Sequence, residues 1–183
     1  MVKKEGGNPI ELWIETEVRD LKTGKVLEKR KWKSRSWSGN MIRLIYAHLK
    51  NTGVEGYDID GYSRTLGPGT TFRCDAGSGV DTFGIVVGTG TPGTYRLGNK
   101  IPHGTGSGQL EYENVDFSDF YGQTFTISRN FVNLSGADIT VSECGVYVKN
   151  NGNVLPLILD SISPPITVPD QAMLRIVYTI KTV

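Results

Sequence analysis

The sequence predicts an all-β protein, an antiparallel β-sandwich of jelly-roll type that carries an N-terminal β-hairpin and one short α-helix. Three observations lead to this fold class. Apolar and polar residues alternate in several segments, which is the period of half-buried strands. Only one segment has apolar residues at helical spacing. Glycine, with 23 among 183 residues, separates these segments as it does in turns. Many short strands with one helix are typical of sandwiches and jelly rolls.

The first predicted element is a β-hairpin. From Ile10 to Val18 apolar residues alternate with glutamates, and the 20–25 loop, in which Gly24 is free to take a positive φ, turns the chain back. The return strand, Val26 to Ser34, is rich in lysine, which often protects an edge strand against unwanted pairing. We interpret residues 1–36 as a basic hairpin arm and residues 37–183 as the sandwich, within a single structural domain.

One helix is predicted over residues 40–51. Apolar residues recur at helical spacing from Met41 to Leu49, Ser36 or Ser38 can cap its start, and Gly53 can end it. The glycines of segment 52–70 indicate a long loop. Further strands are predicted near residues 71–75, 83–88, 109–115, 123–134, 138–149, 154–160 and 172–182.

Two local features refine this pattern. The apolar parity changes within the strand at 138–149, which predicts a β-bulge near Ser142 and Glu143. Pro164, Pro165 and Pro169 predict an extended turn before the last strand.

Charge and hydropathy restrict the class of protein. Twenty Lys and Arg face nineteen Asp and Glu, and no apolar run approaches the roughly 18 residues of a membrane span. The N-terminus has no apolar segment behind its lysines, so we expect a soluble protein made in the cytoplasm. The first 50 residues hold twelve basic and six acidic residues, whereas the rest hold eight and thirteen. A basic end and an acidic body suit head-to-tail contact between copies or contact with an acidic partner, although a solvated hairpin would look the same.

A glycine-rich run follows the predicted strand at 83–88. Gly88, Gly90 and Gly93 have the G-x-G-x-x-G spacing of dinucleotide-binding loops, in which the third glycine opens a helix whose N-terminus holds the pyrophosphate. Pro92 lies inside the motif, and further glycines and prolines follow, so no helix of ten residues fits. We therefore expect a long ordered loop over 89–108 and no nucleotide cofactor.

The sequence offers few groups for catalysis. His48 is predicted in the helix, and His103 lies in the glycine-rich loop, where a general base could work. No G-x-S-x-G or cysteine nucleophile motif accompanies His103, so we expect no catalytic residue and no enzyme. Acidic pairs that a glycosidase could use are explained equally well by strand alternation. These pairs are Glu111 with Glu113 and Asp116 with Asp119.

Metal binding and disulfide formation have similarly weak signals. Asp58, Asp60 and Gly61 match part of a calcium loop, but the remaining ligands of that loop are missing, so we expect no metal. Cys74 and Cys144 form no CxxC motif. The favoured interpretation is that both cysteines are free thiols packed as small apolar side chains, and the alternative is a disulfide between them.

Aromatic residues favour binding over catalysis. Trp32 lies in the basic strand, and Tyr95 and Tyr112 lie beside glycine-rich segments, where they could stack on a sugar. Basic residues beside tryptophan could also meet nucleic-acid phosphates. The pI of about 7.7 gives no domain-wide basic character, so we do not expect a nucleic-acid partner. Packing of the tryptophans between hairpin and sandwich is the simplest interpretation.

Four segments show an order of glycine turns and strands that is familiar from one group of proteins. They are GIVVGTG (84–90), LGNKIPHGTGSGQLEY (97–112), FTISRNFVNLSGADITVSECGVY (125–147) and ISPPITVPDQAMLRIVYTI (162–180). Over roughly residues 83–182 the chain resembles virion structural proteins, either capsid-surface (decoration) or tail components, of tailed bacteriophages and related prokaryotic viruses. The resemblance implies a β-rich building block of a virion, made in the host cytoplasm and repeated many times around the particle. It brings no cofactor and no active-site residues, and it leaves head and tail locations open.

The sequence therefore predicts a surface for protein–protein contacts. The 89–108 loop is long yet has apolar anchors at Tyr95, Leu97 and Ile101, and such loops usually have a function. The predicted interface residues are Lys29, Arg30, Lys31, Trp32, Lys33, Tyr95, Arg96 and His103. We expect a homo-oligomer that also contacts other virion proteins, with no membrane partner. A carbohydrate-binding module using Tyr95, Tyr112 or Trp32 and a hydrolase using His103 are the alternatives.

Overall fold

Ten β-strands and one α-helix make up the described part of the chain. The computed structural model describes residues 10–34, 36–50, 52–67, 72–119, 121 and 124–182. The elements in chain order are β1 (Ile10–Asp20), β2 (Val26–Ser34), α1 (Gly39–Lys50), β3 (Val54–Tyr57), β4 (Ser63–Leu66), β5 (Gly84–Gly88), β6 (Glu111–Phe117), β7 (Thr124–Asn133), β8 (Ile139–Asn150), β9 (Asn153–Val168) and β10 (Ala172–Thr182). None of the described helical residues belongs to a helix long and apolar enough to cross a membrane.

The strands form two main sheets and one small hairpin. The larger sheet has the order β2-β1-β10-β7-β6, the smaller has the order β5-β8-β9, and β3 pairs with β4. All of these pairings are antiparallel. One apolar core contains side chains from both main sheets, which confirms the predicted all-β sandwich.

The period-two pattern of the sequence explains which side of each strand is buried. In β1, Leu12, Ile14 and Val18 point into the core while the intervening glutamates point outward. Strand β10 pairs with β1 along its whole length and contributes Leu174 and Ile176 to the same core. Burial of each such side chain stabilises the fold by about 1.5–3 kcal/mol relative to exposure.

The N-terminal hairpin is a structural part of the larger sheet. Strand β1 lies between β2 and β10, so the residues interpreted as an arm share the core of the sandwich. Within the described part of the chain, strand β2 is the last strand of its sheet, as its lysines predicted.

A bulge in β8 confirms the prediction from parity. The register of β8 against β9 shifts between Val141 and Glu143. After this shift Cys144 faces the core, where its Sγ lies 3.2 Å from the Tyr178 hydroxyl. Glu143 faces the opposite side, toward the 89–99 segment.

Three predictions about irregular segments were wrong. The loop predicted at 52–70 contains the β3–β4 hairpin, whose four-residue strands are too short for an alternating pattern to show. The strand predicted at 71–75 is, in its described residues, an isolated bridge between Arg73 and Lys149. The predicted proline turn belongs to β9, because β9 is an edge strand and residues 162–165 lie between its paired positions Ser161 and Ile166.

The helix lies where it was predicted, one residue earlier at each end. Leu44 and Ala47 are buried, and the Asn40 amide bonds to both backbone groups of Tyr57 in β3. The predicted serine caps are engaged elsewhere. The Ser38 hydroxyl donates to the Pro156 carbonyl, and the Ser36 hydroxyl donates to the Asp160 carboxylate. The side chain of His48 lies outside the described part of the structure.

Candidate functional site

The glycine-rich segment after β5 is an ordered loop that folds back along the same strand. Ile101 donates its N–H to the carbonyl of Val87 at 2.9 Å, and Thr89 donates to the carbonyl of Asn99 at 2.9 Å. Leu97 and Ile101 are buried. The predicted long ordered loop is therefore present, and two of its three predicted anchors are fully packed.

A buried carboxylate holds this loop against the smaller sheet. Glu143 in β8 has no exposed surface, and its Oε1 accepts N–H groups from Gly90 at 3.0 Å and Asn99 at 2.8 Å. Its Oε2 accepts the N–H of Gly98 at 2.8 Å. The hydroxyl of Tyr147, four residues further along β8, accepts the N–H of Leu97 at 2.7 Å. The loop thus has an internal anion where a nucleotide-binding loop has a phosphate.

The first two glycines of the G-x-G-x-x-G spacing, Gly88 and Gly90, permit this close approach. A Cβ on Gly88 would lie 2.5 Å from the Asn99 carbonyl oxygen and would also collide with the Glu143 carboxylate. A Cβ on Gly90 would lie 2.8 Å from the backbone N of Asn99. Packing between the loop and its own strand therefore explains the first two glycines of the spacing, whereas a Cβ on Gly93 would meet only the Arg96 carbonyl oxygen, at 3.4 Å. Residues 91–110, which follow, contain no helix.

His103 connects the loop to β6. Its Nδ1 accepts the N–H of Tyr112 at 3.1 Å, and its own backbone N–H donates to Asp81 at 3.0 Å. Asp81 also forms an ion pair with Lys100, whose Nζ lies 3.0 Å from the Asp81 Oδ1. A ring nitrogen that accepts a backbone N–H is occupied by a structural bond, which is unlike the arrangement of a general base beside a nucleophile.

Arg129 is a buried charge that anchors a second loop. Its guanidinium donates to five backbone carbonyls, those of Gly77, Val80, Phe83, Ile85 and Glu113, at distances between 2.6 and 3.3 Å. The guanidinium also lies 4.8 Å from the centre of the Tyr112 ring. Burial lowers the pKa of Arg129 to about 10, which still leaves it charged at neutral pH. This side chain interrupts the apolar parity of β7 because it serves as a polar anchor inside the sandwich.

A third polar group lies between the two main sheets. The Asp160 carboxylate accepts hydroxyl bonds from Ser34 at 2.8 Å, from Ser36 and from Tyr178 at 3.4 Å. Burial raises the pKa of Asp160, although these hydroxyls act in the opposite direction. Cys144 lies beside Tyr178 in the same cluster.

Both cysteines are free and buried, in agreement with the favoured interpretation of the sequence. Burial raises the pKa of Cys74 to about 12 and raises the pKa of Cys144 further. A thiol with such a pKa is a poor nucleophile and a poor metal ligand at neutral pH.

The basic stripe of β2 is paired with the acidic stripe of β1. Lys29 lies 2.9 Å from a Glu15 oxygen, Lys31 lies 3.7 Å from the other, and Lys33 lies 2.6 Å from Glu11. The predicted interface residues Arg30 and Trp32 belong to the opposite, inward face of the strand. The Arg30 guanidinium donates to the Pro164 carbonyl, and Trp32 packs against the core.

Tyr95 and Arg96 lie against the β3–β4 hairpin. The Tyr95 ring is 5.0 Å from the Tyr57 ring at an interplanar angle of 32°, and Arg96 is 3.5 Å from Asp60. Arg43 of α1 lies 5.7 Å from the centre of the Tyr57 ring. The eight predicted interface residues therefore lie in three different surroundings: β2, the β3–β4 hairpin, and the contact of His103 with β6.

An apolar groove opens at the end of the sandwich where β1 begins and β10 ends. Its volume is about 770 Å³ and its lining is almost wholly apolar. Ile10, Phe72 and Phe117 are each more than a third exposed at this groove. The charged residues of the lining are Arg73, Asp75 and Lys181. Such a lining suits an apolar contact and offers little to a sugar.

Among the described residues no group of three or more His, Cys, Asp or Glu side chains is arranged to hold a metal ion. Asp58, part of the calcium-like pattern, instead bonds to Arg64 at 2.7 Å and accepts the N–H groups of Asp60 and Tyr62. Comparison of the chain with protein families, with curated proteins and with solved structures found no match.

Proposed function

We propose that the protein is a non-enzymatic structural subunit of a virion, present in many copies on a phage capsid or tail and joined to its neighbours by protein–protein contacts. The observation that supports this most strongly is the anchoring of the glycine-rich loop by Glu143. A long loop that is fixed in one conformation presents a preformed surface, which reduces the entropy lost when a partner binds.

The buried ionisable side chains, which are the groups most suited to catalysis, support the same proposal. Glu143, Arg129 and Asp160 are each buried and each bonded within the fold. These three side chains stabilise the sandwich and its loops. We therefore assign the function of the protein to contacts made by its surface. Residues 83–182 resemble virion structural proteins, and for this reason we propose that the binding serves assembly of a virus particle.

Sedimentation velocity tests this proposal on the isolated chain. The protein should form oligomers whose size increases with concentration in low-salt buffer, and electron microscopy should reveal rings, tubes or sheets of regular spacing. A protein that remains strictly monomeric at high concentration in low salt, and that is absent from purified particles, would contradict the assignment.

A carbohydrate-binding module is the second candidate, and the tilted Tyr57–Tyr95 pair is the observation that favours it. Of the three stacking residues considered, Tyr112 is 1% exposed and Trp32 packs against the core, whereas Tyr95 is half-buried and pairs with Tyr57. A glycan array distinguishes the two candidates. Sugar binding that is lost in Tyr95→Ala and kept in Tyr121→Ala, an 87% exposed tyrosine outside the pair, would support the carbohydrate function.

A further inference from the structure

The two edges of the five-stranded sheet carry charges of opposite sign. Strand β2 forms one edge, and the side chains of Lys29, Lys31 and Lys33 on its outer face are 52%, 56% and 38% exposed. Their glutamate partners all lie on the β1 side. The other side of each lysine faces away from the sheet, because β2 has no further neighbouring strand among the described residues.

Strand β6 forms the other edge of the same sheet and is acidic. Glu113 and Asp116 are exposed in this strand, and the exposed Asp119 follows it. The backbone of this edge is already engaged, since Gly79 donates to the carbonyl of Tyr112 and Val115 donates to the carbonyl of Ala76. A partner at this edge would therefore contact side chains, because these backbone N–H and carbonyl groups are not free to pair with another strand.

We propose that these edges are the two halves of a head-to-tail contact between copies of this chain, in which the β2 lysines of one copy lie against the β6 acids of the next. This inference rests on the proposed function and identifies the surfaces and the partner that assembly would use. A contact between two different patches is heterologous, so it produces rings or open filaments and not a closed dimer.

The charge pattern favours this partner over two others. A two-fold contact between β2 strands would place lysines opposite lysines, which is unfavourable. A nucleic acid would meet lysines that are already partly neutralised by Glu11 and Glu15, and the acidic edge would repel it. A second copy presents carboxylates to the lysines and lysines to the carboxylates, so both edges gain an opposite charge.

Charge reversal at each edge tests the contact. The first variant, K29E/K31E/E15K, reverses the β2 edge and keeps an internal ion pair between β1 and β2. The second variant, E113K/D116K, reverses the β6 edge. Each variant alone should associate at least tenfold more weakly than the unmodified protein in low salt, because its own two edges then carry the same sign.

A mixture of the two variants gives the decisive result. In an alternating chain every β2 edge meets a β6 edge of opposite sign, so an equimolar mixture should recover the association measured for the unmodified protein. Arg175→Glu, on β10 in the middle of the same sheet, is the matched control and should leave association within about twofold. Raising the salt from about 0.1 M to 1 M, where the screening length falls from about 10 Å to 3 Å, should weaken every form that associates.

Several outcomes would overturn the inference. Association that survives both reversals would leave the virion proposal standing and would remove these edges from it. Loss in both variants without recovery on mixing would show that the edges do not meet each other. Circular dichroism checks that each variant is folded. If the first variant unfolds, K29Q/K31Q, which removes charge without reversing it, replaces it in the measurement of each variant alone but not in the mixture. Binding of a duplex oligonucleotide that K29Q/K31Q abolishes, in a protein that stays monomeric, would favour nucleic acid and refute both proposals.

Discussion

Replacing Glu143 removes the group that fixes the glycine-rich loop. In Glu143→Ala three backbone N–H groups, those of Gly90, Gly98 and Asn99, lose their acceptor. A hydrogen bond to a charged group contributes about 1.5–3 kcal/mol, and an N–H left unpaired costs about 1–3 kcal/mol unless water reaches it. The three bonds are only partly buried, and Gly98 and Asn99 are exposed residues, so water can compensate some of this loss. We expect unfolding free energy to fall by about 3–5 kcal/mol.

Glu143→Gln should lower the unfolding free energy less than Glu143→Ala, because the two carboxylate oxygens accept different numbers of hydrogen bonds. Oε1 accepts two N–H groups and Oε2 accepts one. An amide in the same position can keep the oxygen that receives two bonds, while its NH₂ group meets the N–H of Gly98. We expect a loss of about 2 kcal/mol.

Thermal unfolding, denaturant unfolding and amide hydrogen exchange measure these effects together. The alanine variant should unfold on the order of 10 °C lower, and exchange at Gly90, Gly98 and Asn99 should accelerate more than exchange in β10. Glu113→Ala, an exposed acid of β6, is the control and should change stability by less than about 0.5 kcal/mol. Unchanged exchange in the loop, or an effect of Glu143→Ala no larger than the control, would refute the anchoring role.

Three further predictions follow from the buried groups. Arg129→Lys leaves at most three donors for five carbonyls and should destabilise the fold by about 2–4 kcal/mol in urea titrations, whereas the exposed Arg175→Lys should not. Burial raises the pKa of Asp160 above 3.8, so the folded state binds this proton more tightly and the contribution of Asp160 to stability falls as the pH rises through the raised pKa. Asp160→Asn should remove that falling component, which urea titrations at a series of pH values above 3.8 would measure. Cys74 and Cys144 should resist thiol reagents in the native state and titrate as two thiols after unfolding without reductant; fewer than two would indicate a disulfide.

The regular part of the fold could be predicted because burial on one face imposes a visible period. Strands β2 and β10 have the predicted bounds, and β1 extends only two residues further. The bulge at Val141–Glu143 was also predictable, since it moves the apolar residues of one strand from one parity to the other. These features depend on local residues alone.

The β3–β4 hairpin could not be predicted because its stability depends on distant residues. Its strands have four residues each, and Gly56 of β3 packs against Leu66 of β4 and the Asn40 side chain of the helix. Similarly, two adjacent prolines excluded a strand over 161–168 until the edge position of β9 was known. In both cases tertiary context decides the local structure.

The buried side chains of Arg129 and Glu143 could be recognised only in part from the sequence. Arg129 occupies a core-facing position between Ile127 and Phe131, and a charge at such a position indicates a buried network or a functional group. Glu143 lies at the bulge, where the direction of a side chain is the hardest property to assign. Its partners in the 89–99 loop are more than 40 residues away in the chain, so the spacing of residues could not identify them.

The same geometry explains why a glycine motif can imitate a nucleotide site. Close approach to an anion requires backbone N–H groups without side chains in the way, whether the anion is a phosphate or a carboxylate of the protein. In a nucleotide site the anion arrives from solvent and a helix N-terminus adds its dipole. Here the anion is part of β8, so its binding energy contributes to folding and fixes the loop before any partner arrives. A loop fixed in this way is suited to repeated, identical contacts, because every copy presents the same surface.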